Sequence, residues 1–100
     1  MICISEIEFP EKETFYIEGL EFRMTCIGCP EQYDVFDSDG VQVAYVRLRH
    51  GYLSVEVPDC GGETVYTHQF IEKMLGCFKN DKQRMRYLIR IANILKNKNV

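Results

Sequence analysis

Residues 32–58 constrain the fold of this chain more than any other stretch. They read QYDVFDSDGVQVAYVRLRHGYLSVEVP, in which turn signals at residues 38–40 and 50–51 separate runs of alternating apolar and polar residues. Period-two alternation is typical of strands with one buried face, and short turns of this kind join neighbouring antiparallel strands. The stretch therefore predicts a three-stranded antiparallel meander.

The two-residue turn at positions 50–51 sets the register of the strands on either side. If Arg49 faces Tyr52, every second pair joins two apolar residues, and that face is predicted to be the core. Its pairs are Leu48–Leu53, Val46–Val55 and Ala44–Val57. The other face carries the pairs Arg49–Tyr52, Arg47–Ser54 and Tyr45–Glu56. A slip of one residue would bury Arg47, Arg49 and Glu56 without partners, so the register is strongly specified.

Continuing the alternation through the turn at residues 38–40 assigns the two faces of the remaining strand of the meander. It predicts Phe36 on the core side and Val35 and Val43 on the outer side. The outer side then also carries a set of Tyr and Arg residues, namely Tyr33, Tyr45, Arg47, Arg49 and Tyr52. Tyr and Arg anchor protein interfaces because they bury a large area while keeping a polar group. We therefore predict that these five residues bind a protein partner; the alternative is a second buried face.

Further strands precede the meander, and helices follow it. Residues 1–9 and 14–25 alternate like strands, the latter with a break at Gly19, and residues 64–67 could add another short strand. From His68 the apolar spacing becomes helical, and Gly76 is a natural end for that helix. Asn80 is the expected cap of a second helix that runs to about Lys96, with Gln83 in the capping-box position.

Together these elements predict an α+β domain that spans residues 1–100, the usual size of a single domain. Residues 1–67 would form an antiparallel sheet of five or six strands in mostly meander order. Residues 68–98 would form two C-terminal helices packed on one face of that sheet. An open sheet edge could also pair two copies in a homodimer.

The charges are unevenly divided along the chain. Residues 1–63 carry thirteen acidic residues against four basic ones, whereas residues 64–100 carry eight basic residues against two acidic ones. Lys82, Arg86 and Arg90 recur every four residues on one helical face, and such a stripe can follow phosphates. Nucleic-acid binding is therefore the alternative to protein binding. A solvated face, or one turned towards the acidic half, is the structural explanation.

The cysteines give information about the cellular compartment of the protein. Their number is five, and the first residues lack the basic segment of a signal peptide, which together predict reduced thiols and a cytoplasmic location. No apolar run reaches the length of a membrane span, so no membrane association is expected.

Cys26 and Cys29, together with Cys60, form a weak candidate for a structural zinc site. The fourth ligand would come from His50, His68 or Cys77. The second close-spaced pair of ligands that is typical of zinc sites is missing, so no metal is predicted.

Cys60 also precedes two glycines, whose N–H groups could bind an oxyanion beside a thiolate nucleophile, with His50 or His68 as the base. A cysteine in such a setting is far more often part of a turn. The sequence therefore predicts a non-enzymatic protein without a cofactor.

Residues 33–66, YDVFDSDGVQVAYVRLRHGYLSVEVPDCGGETVY, resemble a group of small, uncharacterised bacterial and phage-associated proteins. The resemblance covers the middle third of the chain and implies an origin in a bacterium or mobile element, but no activity. Tyr33, Val35, Asp37, Gly40 and Val41 are also similar to the repeating hairpins of tubby-like proteins, although the chain is too short for that closed barrel. The predicted function is that of a small adaptor or inhibitor of a protein partner.

Overall fold

The computed structural model of the chain describes residues 13–25, 30–72 and 76–97. Six strands and one helix follow one another in these ranges. They are β1 (Thr14–Ile17), β2 (Leu20–Met24), β3 (Glu31–Phe36), β4 (Gln42–Arg49), β5 (Tyr52–Val57), β6 (Glu63–Gln69) and α1 (Asp81–Asn97). Each strand pairs antiparallel with the next, so the sheet order is β1-β2-β3-β4-β5-β6. The predicted α+β class and meander are confirmed, whereas the predicted strand at residues 1–9 lies outside the described residues.

Tight turns that contain residues in the left-handed conformation join the two strands of each hairpin. Glu18 and Gly19 link β1 to β2, and His50 and Gly51 link β4 to β5; all four have positive φ. This is the two-residue turn whose twist matches that of the flanking strands. Gly40 has φ +82° in the turn between β3 and β4, the conformation expected there.

The core lies between α1 and one face of the sheet. The buried residues of α1 are Leu88, Ile91, Ala92 and Leu95. The sheet contributes fully buried side chains from its four inner strands, namely Phe22, Tyr33, Val35, Ala44, Val46, Leu48, Leu53 and Val55. No helix in the described ranges combines the length and the apolar character needed to cross a membrane.

The helix begins where the sequence predicts. Asn80 Oδ1 accepts a hydrogen bond from the N–H of Gln83 at 2.8 Å, and Gln83 Oε1 accepts one from the N–H of Lys79 at 2.8 Å. These two bonds satisfy N–H groups at the helix start that lack intrahelical acceptors. The Asn80 cap is therefore confirmed, and α1 ends one residue beyond the predicted Lys96.

The first of the two predicted helices is wrong over the residues that the structure describes. His68 and Gln69 belong to β6, and residues 70–72 and 76–80 are not helical. Pairing continues beyond β6, because the N–H of Phe70 donates to the carbonyl of Gly51 at 2.7 Å. Phe70 and Phe78, which share the helical spacing, instead pack around Tyr87 of α1 with ring centroids 5.1 and 6.0 Å away.

The predicted register of β4 and β5 is confirmed from Arg49–Tyr52 to Tyr45–Glu56, whereas the predicted pair Ala44–Val57 is not among the observed pairs. The paired residues are Arg49–Tyr52, Leu48–Leu53, Arg47–Ser54, Val46–Val55 and Tyr45–Glu56. The apolar pairs of this set are fully buried, as the alternation requires.

The predicted faces of β3 are wrong. Its pairs with β4 include Tyr33–Val46, Val35–Ala44 and Phe36–Gln42. Val43 is thus the extra residue of a bulge, and one extra residue exchanges the two faces of the strand beyond it. Tyr33 and Val35 are consequently buried in the core, and Phe36 lies on the opposite side of the sheet. Val43 itself is buried.

Candidate functional site

The sheet face opposite α1 is the candidate binding surface and is called the outer face below. Tyr45, Arg47, Arg49 and Tyr52 lie on it, because they alternate along β4 and β5 with the core residues. Within residues 13–25, 30–72 and 76–97, no helix covers this face. The structure thus brings together four of the five residues that the sequence proposes as partner-binding.

Tyr33 is the fifth, and its predicted position on the outer face is wrong. Its side chain is fully buried and packs edge to face against Phe15 and Phe22, with ring centroids 6.1 and 6.3 Å apart. Its hydroxyl donates a hydrogen bond to Glu31. Burial raises the pKa of Tyr33, and the hydrogen bond to Glu31 raises it further. Tyr33 is therefore a core residue.

Glu31 is a buried carboxylate that the sequence reasoning missed. Its Oε2 accepts from Arg84 Nε at 2.6 Å and from the Tyr33 hydroxyl, and its Oε1 accepts from the N–H of Phe78 at 3.0 Å. The N–H of Glu31 donates to the carbonyl of Gly76 at 2.7 Å. Both carboxylate oxygens accept hydrogen bonds, so Glu31 links residues 76–78 and the start of α1 to β3.

A sequence signal for this ion pair does exist. Arg84 lies four residues before Leu88 and seven before Ile91, which places it on the apolar side of α1 and off the basic stripe. A charged residue in that position needs a buried partner. Glu31 alternates with Tyr33 and Val35, so once the bulge is known its side chain is assigned to the same face.

The β2 side of the outer face carries an ion pair that covers an aromatic ring. Arg23 pairs with Glu21, and its guanidinium lies 4.1 Å from the ring centroid of Phe36. Tyr16, on the neighbouring β1, is 77% exposed. The Arg23 charge is thus already matched by a carboxylate and an aromatic face.

The acidic side chains in the middle of the outer face are also hydrogen-bonded. Asp34 Oδ1 accepts from Gln42 Nε2 at 3.1 Å, and Glu56 Oε1 accepts from the N–H of Gly61 at 2.8 Å. These carboxylates therefore have partners within the domain.

Arg47 and Arg49 differ from the other charges of the outer face. Neither forms an ion pair or a hydrogen bond with any residue that the structure describes. Burial raises the pKa of Tyr45, while the nearby charge of Arg47 acts in the opposite direction. The hydroxyl of Tyr45 donates to Gln32 Oε1 at 3.0 Å. Two cations that have no counterion among the described residues thus lie beside Tyr45 and Tyr52.

Acidic residues line the opposite end of the strands. The turns at 18–19 and 38–40 and the loop at 58–62 all lie at that end of the sheet, whereas the turn at 50–51 lies at the Arg49 end. The carboxylates in or beside these connections form an acidic rim of Glu18, Asp37, Asp39, Asp59 and Glu63. Only Glu18 of this rim has a described ion pair, with Lys96 Nζ at 3.2 Å. The outer face is therefore basic towards the Arg49 end, and the connections at the opposite end of the sheet are acidic.

The basic stripe of Lys82, Arg86 and Arg90 lies on the solvent side of α1, and all three residues are exposed. None of them forms an ion pair with a carboxylate in the described ranges. The guanidinium of Arg90 lies 5.3 Å from the ring centroid of Tyr87, and a hydrogen bond to Tyr66 raises the pKa of Arg90. The stripe and the outer face thus point to opposite sides of the domain.

The structure describes two of the five cysteines, Cys60 and Cys77. Cys77 is disulfide-bonded, so the expectation of reduced thiols is wrong for this residue, and the number of cysteines alone could not reveal it. Cys60 is free and exposed. Cys26 and Cys29 lie outside the described residues, and no group of three or more candidate metal ligands is found among the described ones. The cytoplasmic location remains an untested prediction, and the zinc site remains an untested alternative.

The loop around Cys60 does not have the free N–H groups that an oxyanion would need. The N–H of Gly61 donates to Glu56, and that of Gly62 donates to the carbonyl of Asp59 at 3.0 Å. His50 lies beyond the other end of β5, about 20 Å away at the usual rise of a strand. His68 faces the core, with its Nε2 3.3 Å from the hydroxyl of Tyr87. The elements proposed for cysteine catalysis are thus not brought together.

A scan against protein-family models found no match to the chain, and neither did searches of curated proteins and of solved structures. The resemblance of residues 33–66 to bacterial and phage-associated proteins stays a prediction. The site is therefore interpreted from the chain's own residues.

Proposed function

We propose that this chain is a small, non-enzymatic protein-interaction module, an adaptor or inhibitor that acts by occupying a surface of a protein partner. The observation that carries the proposal is the outer face, where Tyr45, Arg47, Arg49 and Tyr52 lie on a sheet surface that no described helix covers. Tyr and Arg supply contact area and charge-assisted hydrogen bonds at interfaces. The proposal includes an origin in a bacterium or mobile element.

The exposure of Tyr52 supports this proposal. Tyr52 is 47% exposed at the start of β5, in the pair beside the turn at residues 50–51, whereas Tyr45 further along the same face is half-buried. Its cross-strand partner is Arg49, so an aromatic and a guanidinium side chain leave the same face from directly opposite positions. Such a pair presents apolar area together with donors, which suits a contact with another protein better than a contact with water alone.

Nucleic-acid binding by Lys82, Arg86 and Arg90 is the second candidate. It is favoured by one observation: all three cations are exposed on α1 and lack a described counterion. Because phosphate contacts release counterions, this candidate predicts affinity that falls steeply with salt.

One experiment separates the two candidates. Immobilised wild-type protein, Tyr45→Ala/Arg47→Ala and Lys82→Gln/Arg86→Gln/Arg90→Gln are compared as baits in nuclease-treated extract of the source cells, with quantitative mass spectrometry. We expect one protein to be retained by the wild type and the helix variant and lost by the outer-face variant. Retention by the outer-face variant together with loss by the helix variant would overturn the proposal. A fluorescence titration with DNA and RNA at low salt measures the nucleic-acid affinity of the same three proteins.

A further inference from the structure

We infer that the partner presents an acidic, extended segment to Arg47 and Arg49, and that it lies along β4 with its acidic part towards the turn at residues 50–51. The inference rests on the proposed function and specifies the chemistry of the partner. Its basis is charge complementarity, since these two guanidiniums have no described counterion on a face whose carboxylates are already bound.

The spacing of the two arginines determines the form of the segment. Arg47 and Arg49 are alternate residues of one strand, so their side chains leave the same face about 6.6 Å apart. Carboxylates at alternate positions of an extended segment have the same spacing. Each guanidinium can then bind one carboxylate through two parallel N–H donors.

The neighbours of the arginines favour a peptide over a simple anion. Tyr52 is paired with Arg49 across the strands, and Tyr45 lies two residues before Arg47. These rings flank the guanidiniums and can pack against side chains that alternate with the carboxylates.

The acidic rim determines the direction. It lies at the far end of the same strands, where a continuing acidic segment would meet carboxylates of its own sign. The favourable arrangement therefore keeps the acidic residues over Arg47 and Arg49 and places neutral or basic residues beyond them.

The test uses fluorescence anisotropy of a labelled twelve-residue peptide in which glutamate alternates with threonine over the first six residues and the last six residues are uncharged. Matched probes are a peptide of the same composition with consecutive glutamates, a lysine version, and a short DNA duplex. The proteins are the full-length wild type, Arg47→Gln/Arg49→Gln, and the control Lys82→Gln/Arg86→Gln, which removes the same charge from the other side of the domain.

We expect the alternating peptide to bind the wild type more tightly than the other probes. Arg47→Gln/Arg49→Gln should weaken it at least tenfold, whereas Lys82→Gln/Arg86→Gln should leave it within about twofold. Equal affinities for the three proteins would overturn the inference, as would preference for DNA through the same arginines. Sedimentation that shows a second copy on this face would overturn it as well.

The two proposals fail in different ways. If the captured partner depends on Tyr45 and Tyr52 but not on Arg47 and Arg49, the interaction module stands and the acidic segment is wrong. If no captured protein depends on the outer face at all, the proposed function itself is wrong.

Discussion

Arg84 of α1 and Glu31 of β3 form an ion pair across 53 positions of the chain, with Arg84 Nε 2.6 Å from Glu31 Oε2. Glu31 is 2% exposed, and the side chain of Arg84 is 15% exposed. The hydrogen bond with Glu31 raises the pKa of Arg84. This pair joins the acidic and basic halves of the chain within the core, on the side of the sheet away from the outer face.

Removing Glu31 should destabilise the domain more than removing an exposed charge. Glu31→Ala leaves Arg84 with the exposed Asp81 as its remaining ion-pair partner, and it removes the acceptor of the buried Tyr33 hydroxyl and of the N–H of Phe78, so we expect a loss of roughly 3 kcal/mol in the free energy of unfolding. Urea denaturation measures it. The control Lys96→Gln, which breaks the exposed pair with Glu18, should cost about 0–1 kcal/mol. Comparable losses for both variants would show that the buried pair has no special role.

Tyr33 should make stability depend on alkaline pH. Its pKa is raised in the folded protein by burial and by the hydrogen bond to Glu31, whereas in the unfolded chain it is about 10. Because the folded pKa is the higher one, the stabilising contribution is present below pH about 10 and is lost as the pH rises further.

The free energy of unfolding above pH about 10 should therefore fall more steeply in the wild type than in Tyr33→Phe. The difference in slope should approach about 1.4 kcal/mol per pH unit, the value for one proton. Urea titrations of the two proteins at matched pH values measure it, and identical slopes would contradict the burial of an un-ionised Tyr33.

Gly62 should not tolerate a side chain. A Cβ at this position would lie 2.1 Å from the carbonyl oxygen of Val57, a backbone atom that cannot move aside alone. Gly62→Ala should therefore destabilise the domain by roughly 1–3 kcal/mol, measured by urea denaturation. Gly40→Asn is the control, since that position is left-handed with open space around it, and Asn accepts this conformation. A smaller loss for Gly62→Ala than for Gly40→Asn would be inconsistent with the loop geometry.

The five pairs of the β4–β5 hairpin from Arg49–Tyr52 to Tyr45–Glu56 were predictable because two independent signals agree there. The two-residue turn at residues 50–51 allows one register, and the charges of Arg47, Arg49 and Glu56 forbid a slip. The cap at Asn80 was predictable for a similar reason, since its side chain and that of Gln83 act within one helical turn.

The face of β3 was not predictable, because a bulge is not visible in alternation alone. Val43 is apolar and buried, so nothing in its residue type distinguishes it from a regular strand residue. This error also affected the predicted site, because the bulge places Tyr33 in the core and not on the outer face. The spacing of Phe70 and Phe78 was misleading in a similar way. It is typical of a helix, but in the structure both rings belong to an aromatic cluster with Tyr87.

The candidate site was predictable where it depends on the β4–β5 hairpin. Tyr45, Arg47, Arg49 and Tyr52 share a face because that register is correct. The position of the acidic rim follows from the meander order, in which every second connection lies at the same end. The lack of described counterions depends on side-chain packing, which no local pattern encodes.

The affinity of Tyr45→Ala/Arg47→Ala for the partner captured by the wild type tests the central claim most directly. Both residues lie on the outer face, so the midpoint of thermal unfolding should stay within about 5 °C of the wild type. Tyr33→Ala, which removes a buried ring, should lower it much further, since such losses are roughly 3–5 kcal/mol. We predict that the folded double variant binds the partner at least tenfold more weakly. Unchanged affinity, or unfolding of the double variant like that of Tyr33→Ala, would contradict the claim that the outer face is a binding surface.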